Sequence, residues 1–172
     1  MPTARSAFAA VALNGRLYSI GGSSSSDTLS TVEEYDAAAN AWTTREPLSS
    51  DRARLAAVVV GGHILAIGGY GHLGHGAVEE YDPSTDLWMT RSPMVASMLH
   101  SGPASAFVVS GLVRVLGIGD YNPALDQWSS QDLASSPFAL PADVIDGRVI
   151  GVLQARAVEI RPPTRLYVHR KN

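Results

Sequence analysis

Four two-residue turn signals punctuate the chain at near-regular intervals: Asn14-Gly15, Gly61-Gly62, Ser110-Gly111 and Asp146-Gly147. Each lies between two short apolar runs, and the second run ends seven residues after the turn's glycine, at Gly22, Gly69, Ile118 and Gln154. Further along each unit, a tyrosine-like position is followed seven residues on by an aromatic: Tyr35/Trp42, Tyr81/Trp88, Tyr121/Trp128 and Ile160/Tyr167. Self-similarity near forty residues restricts a chain to repeat architectures, a solenoid or a propeller. In these, each unit buries its apolar face only against a neighbour.

The second copy is the cleanest. Leu55–Val60 is a continuous β-branched run that predicts a strand buried on both faces. Gly61-Gly62 supplies the positive φ angles of a tight hairpin. His63–Ile67 is a second strand, closed by Gly68-Gly69 and followed by a loop over Tyr70–Gly76. Ala77–Tyr81 predicts a third strand, Asp82–Thr85 a proline-containing turn, and Leu87–Arg91 an outer strand. Four antiparallel strands joined by short turns make one propeller blade. Copy one repeats the plan over Ser6–Leu13, Arg16–Ile20, Thr31–Tyr35 and Ala41–Arg45. Copy three keeps Ala104–Val109, Leu112–Leu116, Tyr121 and Trp128, and copy four keeps Ala142–Ile145, Arg148–Leu153 and Tyr167.

Arg-x-x-Ala near the first strand, Gly-Gly after the second, then Glu-x-Tyr-Asp-Pro and a tryptophan resemble the kelch repeat. Copies one and two match well, the second through Arg54, Gly68-Gly69, Glu79-Glu80-Tyr81-Asp82-Pro83 and Trp88; copy three matches half the pattern and copy four its outline. The resemblance implies an all-β fold, a small kelch-like β-propeller. It implies structural repeat roles for Gly21, Gly22, Glu33, Tyr35, Trp42, Gly68, Gly69, Glu79, Tyr81, Trp88 and Trp128. One domain over 1–172 is expected, with blades near 3–47, 48–95, 96–133 and 134–170. Between the second strand and the tyrosine-like position the copies leave 13, 12, 3 and 6 residues, so blades three and four are shortened and are expected to hold three proper strands. Kelch proteins usually carry more blades than four. The expectation is therefore a four-bladed ring or an open propeller arc, whose uncovered terminal faces invite self-association.

Composition narrows the function classes. Net charge is −3 and no basic cluster appears before the Arg170-Lys171 tail, so no basic stripe is expected for a nucleic-acid partner. The chain contains no cysteine, which excludes disulfides, thiol nucleophiles and Cys-ligated metals. It also closes the tyrosine–cysteine copper chemistry of some kelch-like enzymes. No apolar run reaches membrane-spanning length and no signal-peptide pattern opens the chain, so no membrane partner and a cytoplasmic location are expected.

Candidate catalytic groups are few. Glu33-Glu34 and Glu79-Glu80 look like carboxylate dyads, but neighbours in a strand point to opposite faces. The resemblance makes one glutamate of each pair structural, with Arg5, Arg52 and Arg54 as candidate partners. His72 and His75 share a glycine-rich loop, with His63 and His100 elsewhere; two imidazoles fall short of the three or four ligands of a zinc site, so no metal and no cofactor are expected. No phosphate-binding loop or serine-hydrolase elbow occurs.

Links after strands one and three of a meander share one end of the blade, and links after strands two and four share the other. The longer, varied links gather at the second end: Ser23–Ser30, Pro47–Arg54, Tyr70–Gly76, Met94–Gly102 and Asp132–Pro141. Binding residues concentrate in variable loops on a rigid frame. The expected function is a non-catalytic protein- or peptide-binding scaffold acting through Arg52, Arg54, Tyr70, His72, His75 and His100. The alternatives are a sugar-type small-molecule protein or enzyme of the bacterial kelch kind, and a truncated fragment without its own activity.

Overall fold

The computed structural model describes residues 1–72, 76–94, 105–116 and 118–129 in full, and the backbone of strands 142–145, 148–153, 156–161 and 165–168. The hairpin signals produce hairpins. Asn14 and Gly15 take φ of 52° and 74°, Gly61 and Gly62 59° and 84°, and Ser110 and Gly111 52° and 79°. Two successive positive φ values define the turn that matches the right-handed twist of the flanking strands. The Asp146-Gly147 turn lies outside the described residues.

The first sheet is β1 (Ala9–Leu13), β2 (Arg16–Ile20), β3 (Val32–Asp36) and β4 (Ala41–Arg45), in that order. A two-residue ribbon, β5 (Arg52–Ala53) with β8 (Tyr70–Gly71), flanks the second sheet. That sheet orders β6 (Ala56–Val60), β7 (His63–Ile67), β9 (Val78–Asp82) and β10 (Leu87–Arg91). The third orders β11 (Ala106–Val109), β12 (Leu112–Val115), β13 (Gly119–Asn122) and β14 (Gln127–Ser129). The fourth orders β15 (Ala142–Ile145), β16 (Arg148–Leu153), β17 (Arg156–Arg161) and β18 (Arg165–Val168). The described residues form antiparallel sheets without a helix. The expectation of three strands in the trimmed repeats is corrected: both keep four. Shortening the link after the second strand left β13 with four residues, enough to pair with both neighbours.

Register explains why the tyrosine and tryptophan recur together. Cross-strand partners share a face, and one row crosses each sheet: Ala12–Leu17–Tyr35–Trp42, Val59–Ile64–Tyr81–Trp88 and Val108–Val113–Tyr121–Trp128. The second row packs on the opposite face of the first sheet, against Ala9, Leu13, Tyr18, Ile20 and Val32. The third packs on Ala56, Val58, Leu65, Ile67 and Val78 of the second sheet. The cores thus lie between sheets, and the inner strands β1, β6, β11 and β15 touch in succession. The sheets thus follow one another in chain order, each inner strand against the next.

Candidate partner-binding face

The glycine pairs turn the chain out of the second strand toward this face. Gly21, Gly22, Gly68 and Gly69 all have positive φ. A Cβ on Gly22 would lie 2.7 Å from the Ser6 carbonyl oxygen, and one on Gly69 2.8 Å from that of Ala53. Conformation and close backbone approach both demand glycine here. Just beyond, Ser23 pairs with Ser6 and Tyr70 pairs with Ala53, equivalent contacts in successive repeats.

Beneath this end lies a buried arginine in each of the first two repeats. Arg5 Nη1 donates to the carbonyls of Gly21 and Thr31, both at 2.8 Å, and Nη2 lies 3.0 Å from Glu33. Arg52 Nη1 donates to the carbonyls of Gly68 and Ala77, and Nη2 pairs with Glu79. Burial lowers the pKa of both guanidiniums and the facing glutamates oppose that shift. Arg52 therefore leaves the set of surface residues: its side chain is 0% exposed and its bonds hold the turn and third strand together. Of the three arginines expected as glutamate partners, Arg54 does not take that role. It is exposed, in the left-handed region at φ 57°, and its amide donates to the Ala7 carbonyl of the preceding repeat.

The second glutamate of each pair points to the other face. Glu34 accepts from Arg45 and Glu80 from Arg91, both at 3.0 Å. Burial pushes the Glu34 carboxyl up, but Arg45 and Tyr18 outweigh it and hold the pKa below the ordinary value. Neither pair forms a dyad. In the third sheet Gly119 takes the place of the first glutamate, and Asp120 instead holds Arg114 through two bonds of 2.8 Å, a buried pair absent from the sequence expectations.

Three links meet in one shallow recess of about 280 Å³, open to solvent and lined by Thr28, Asp51, Tyr70, Gly71 and His72. Thr28 comes from the link after β2, Asp51 from the connection between sheets, and His72 from the link after β8. Thr28 Oγ1 donates to Asp51 Oδ2, and Asp51 Oδ1 lies 3.4 Å from His72 Nδ1. The carboxylate stands between hydroxyl and imidazole, so the histidine is not placed to take the hydroxyl proton as it would in a nucleophile–base pair. Among the described residues no three His, Cys, Asp or Glu side chains gather as metal ligands.

Tyr70 and His72 are thus brought together, both strongly exposed, with Arg54 just past the ribbon. His75 and His100 lie outside the described residues, and His63 sits on β7, 3.3 Å from Glu80. Thr28 and Asp51 were missed by sequence reasoning, since neither recurs in the repeat. Also missed was an Asn/Asp two residues before each tryptophan: Asn40, Asp86 and Asp126, all with positive φ. Each accepts the hydroxyl of its repeat's tyrosine, Tyr35 at 2.8 Å and Tyr81 and Tyr121 at 2.6 Å. The recurring Asn/Asp-x-Trp was the available signal.

The Kelch motif matches this chain twice, over residues 4–49 and 51–95, which together make up more than half of it. The chain belongs to the kelch-repeat family. The kelch match covers both copies of the buried Arg–Glu pair. The chain is also similar to the influenza virus NS1A-binding protein homolog of Xenopus laevis, 38% identical over 69 residues. That stretch is 40% of this chain and 11% of the relative, so the chain corresponds to a small part of the relative's length. Kelch repeats serve in general as protein-interaction scaffolds.

Proposed function

We propose that this kelch chain is a non-catalytic scaffold that binds a protein or peptide on the face formed by the links after β2 and β8 and the connection between the first two sheets. The observation that carries the reading is the convergence of Thr28, Asp51, Tyr70 and His72 from three links onto one open recess. An exposed tyrosine supplies contact area at small entropic cost, and an aspartate beside a histidine supplies both acceptor and donor chemistry. The shallow recess lacks the enclosure that buries most of a small molecule, which favours a macromolecular contact over a sugar pocket. Arg54 extends the same rim, and His75 and His100 are assigned to it by their place in the sequence.

The test is quantitative affinity capture with the native chain and with a triple variant, Asp51→Ala, Tyr70→Ala and His72→Ala. Proteins retained by the native chain and lost from the variant, at unchanged melting temperature, support the reading. Identical capture by a folded variant overturns it.

A further inference from the structure

Among the described residues every buried carboxylate of the sheets is matched by an arginine of this chain: Glu33 by Arg5, Glu34 by Arg45, Glu79 by Arg52 and Asp120 by Arg114. Asp51 is placed differently. It lies in the recess with Thr28, Tyr70, Gly71 and His72, and no arginine or lysine lines that recess. Its Oδ2 accepts from Thr28 Oγ1 and its Oδ1 lies 3.4 Å from His72 Nδ1. The link that carries Thr28 adds Asp27 and no basic residue.

The carboxylate has room for a further donor. Each of its oxygens offers two lone-pair sites, and the Thr28 hydroxyl takes one of those on Oδ2. The His72 contact is longer than a well-formed N–H···O bond and the imidazole is 91% exposed, so an incoming donor displaces it at little cost. The Tyr70 ring, 62% exposed, belongs to the same recess. A Cβ on Gly71 would run into the Asp51 carbonyl, so only glycine fits there and no side chain stands between Tyr70 and His72.

We propose that this recess takes an arginine side chain of the partner, its guanidinium on the Asp51 carboxylate and its flat face against the Tyr70 ring. The assignment rests on the recess being the partner-binding surface proposed above, and it names the chemistry that surface reads. A guanidinium meets both features at once, because it donates parallel N–H bonds to a carboxylate and stacks on an aromatic face. A lysine ammonium brings the charge as a point without the planar fork. An acidic side chain is repelled by Asp51, and an apolar one covers the carboxylate without matching it. Arg54 is exposed and does not line the recess, so among the described residues the chain's own arginines leave this place to the partner.

Selection of the native chain against a library of random twelve-residue peptides tests this directly. The retained peptides should share an arginine, and its replacement by citrulline, which keeps the shape and loses the charge, should weaken binding about tenfold or more. Asp51→Asn still accepts from Thr28 and is checked for an unchanged melting temperature. On that variant arginine and citrulline peptides should bind alike, a convergence that misfolding does not imitate. A citrulline penalty that is the same on the native chain and on Asp51→Asn overturns the proposal, because the arginine then sits elsewhere. Retained peptides without arginine whose binding is lost in Tyr70→Ala overturn the arginine assignment and leave the recess as the partner surface. Peptides bound equally by the native chain and by the folded Asp51→Ala, Tyr70→Ala, His72→Ala variant, or a library from which the native chain retains nothing, overturn both.

Discussion

Arg52 on β5 pairs with Glu79 on β9, their side chains 0% and 3% exposed, and Arg5 with Glu33 repeats the pair in the first repeat. A buried pair is weak as a source of net stability but costly to break on one side. Replacing Arg52 alone by methionine strands the Glu79 carboxylate and should cost about 3–5 kcal/mol in a urea titration. The double variant Arg52→Met, Glu79→Leu should recover only part of that. The carbonyls of Gly68 and Ala77 lose the same donor in either variant. Full recovery would show that the arginine's backbone bonds contribute nothing.

The tyrosine bonds to Asp86 and to Asn40 differ in burial, which sets a comparison. Tyr81→Phe removes a bond to the carboxylate of Asp86 from a buried ring, with a cost of about 1.5–3 kcal/mol expected for a hydrogen bond to a charged group. Tyr35→Phe removes a solvent-exposed bond to the neutral Asn40 and should cost about 1 kcal/mol or less. Equal losses in thermal unfolding would mean that burial and charge do not govern these bonds.

How much of this was legible before the structure depends on whether a residue's role is local. The turn glycines, the strand pairs and the Tyr/Trp spacing are set by φ angles and by the period-two pleat, so the repeat displays them directly. The Leu87–Arg91 and Arg148–Leu153 strands fall where apolar patterning puts them. The role of Arg52 was not legible in that way. Arg52 and Arg54 stand two apart on one short segment, and only the packed sheet decides which turns inward. Aligning the first two copies by their buried pairs sets Arg52 against Arg5 and Arg54 against Ala7, and that offset was the missed clue. The Thr28–Asp51–His72 cluster was out of reach, because three unrepeated links meet there only after two sheets have packed.

Acid should loosen the contact of Asp126 with Tyr121 and Ser92 in a defined window. A hydrogen bond from Tyr121 Oη and one from the Ser92 amide hold the Asp126 carboxyl below its ordinary value of 3.8. The folded value lies below the unfolded one, so the contribution to stability is complete above 3.8 and is lost as pH falls through the lowered folded value. Asp126→Asn should therefore be less stable than the native chain near neutrality, and the two urea midpoints should converge toward the acid end. Asn40 occupies the equivalent position in the first sheet, so the variant is expected to fold. Midpoints that stay parallel across the whole range would remove Asp126 from the acid response.

Two glycines with similar φ separate conformational strain from crowding. Gly62 has φ 84° and no heavy atom within 4 Å of where a Cβ would stand, whereas Gly69 has φ 98° and would set its Cβ 2.8 Å from the Ala53 carbonyl and 2.9 Å from Leu55 Cβ. Gly62→Ala meets only the left-handed penalty of about 1–2 kcal/mol. Gly69→Ala meets a comparable penalty and must also push the β5 segment away from the turn, where Ala53 pairs with Tyr70. It should therefore destabilise more than Gly62→Ala in urea titrations. It should also speed amide exchange at Ala53 and Tyr70, because relief of the clash moves the ribbon that presents Tyr70 and His72. Equal destabilisation by the two alanines, with exchange at the ribbon unchanged, would show that the close approach of Gly69 to β5 does not hold the recess in place.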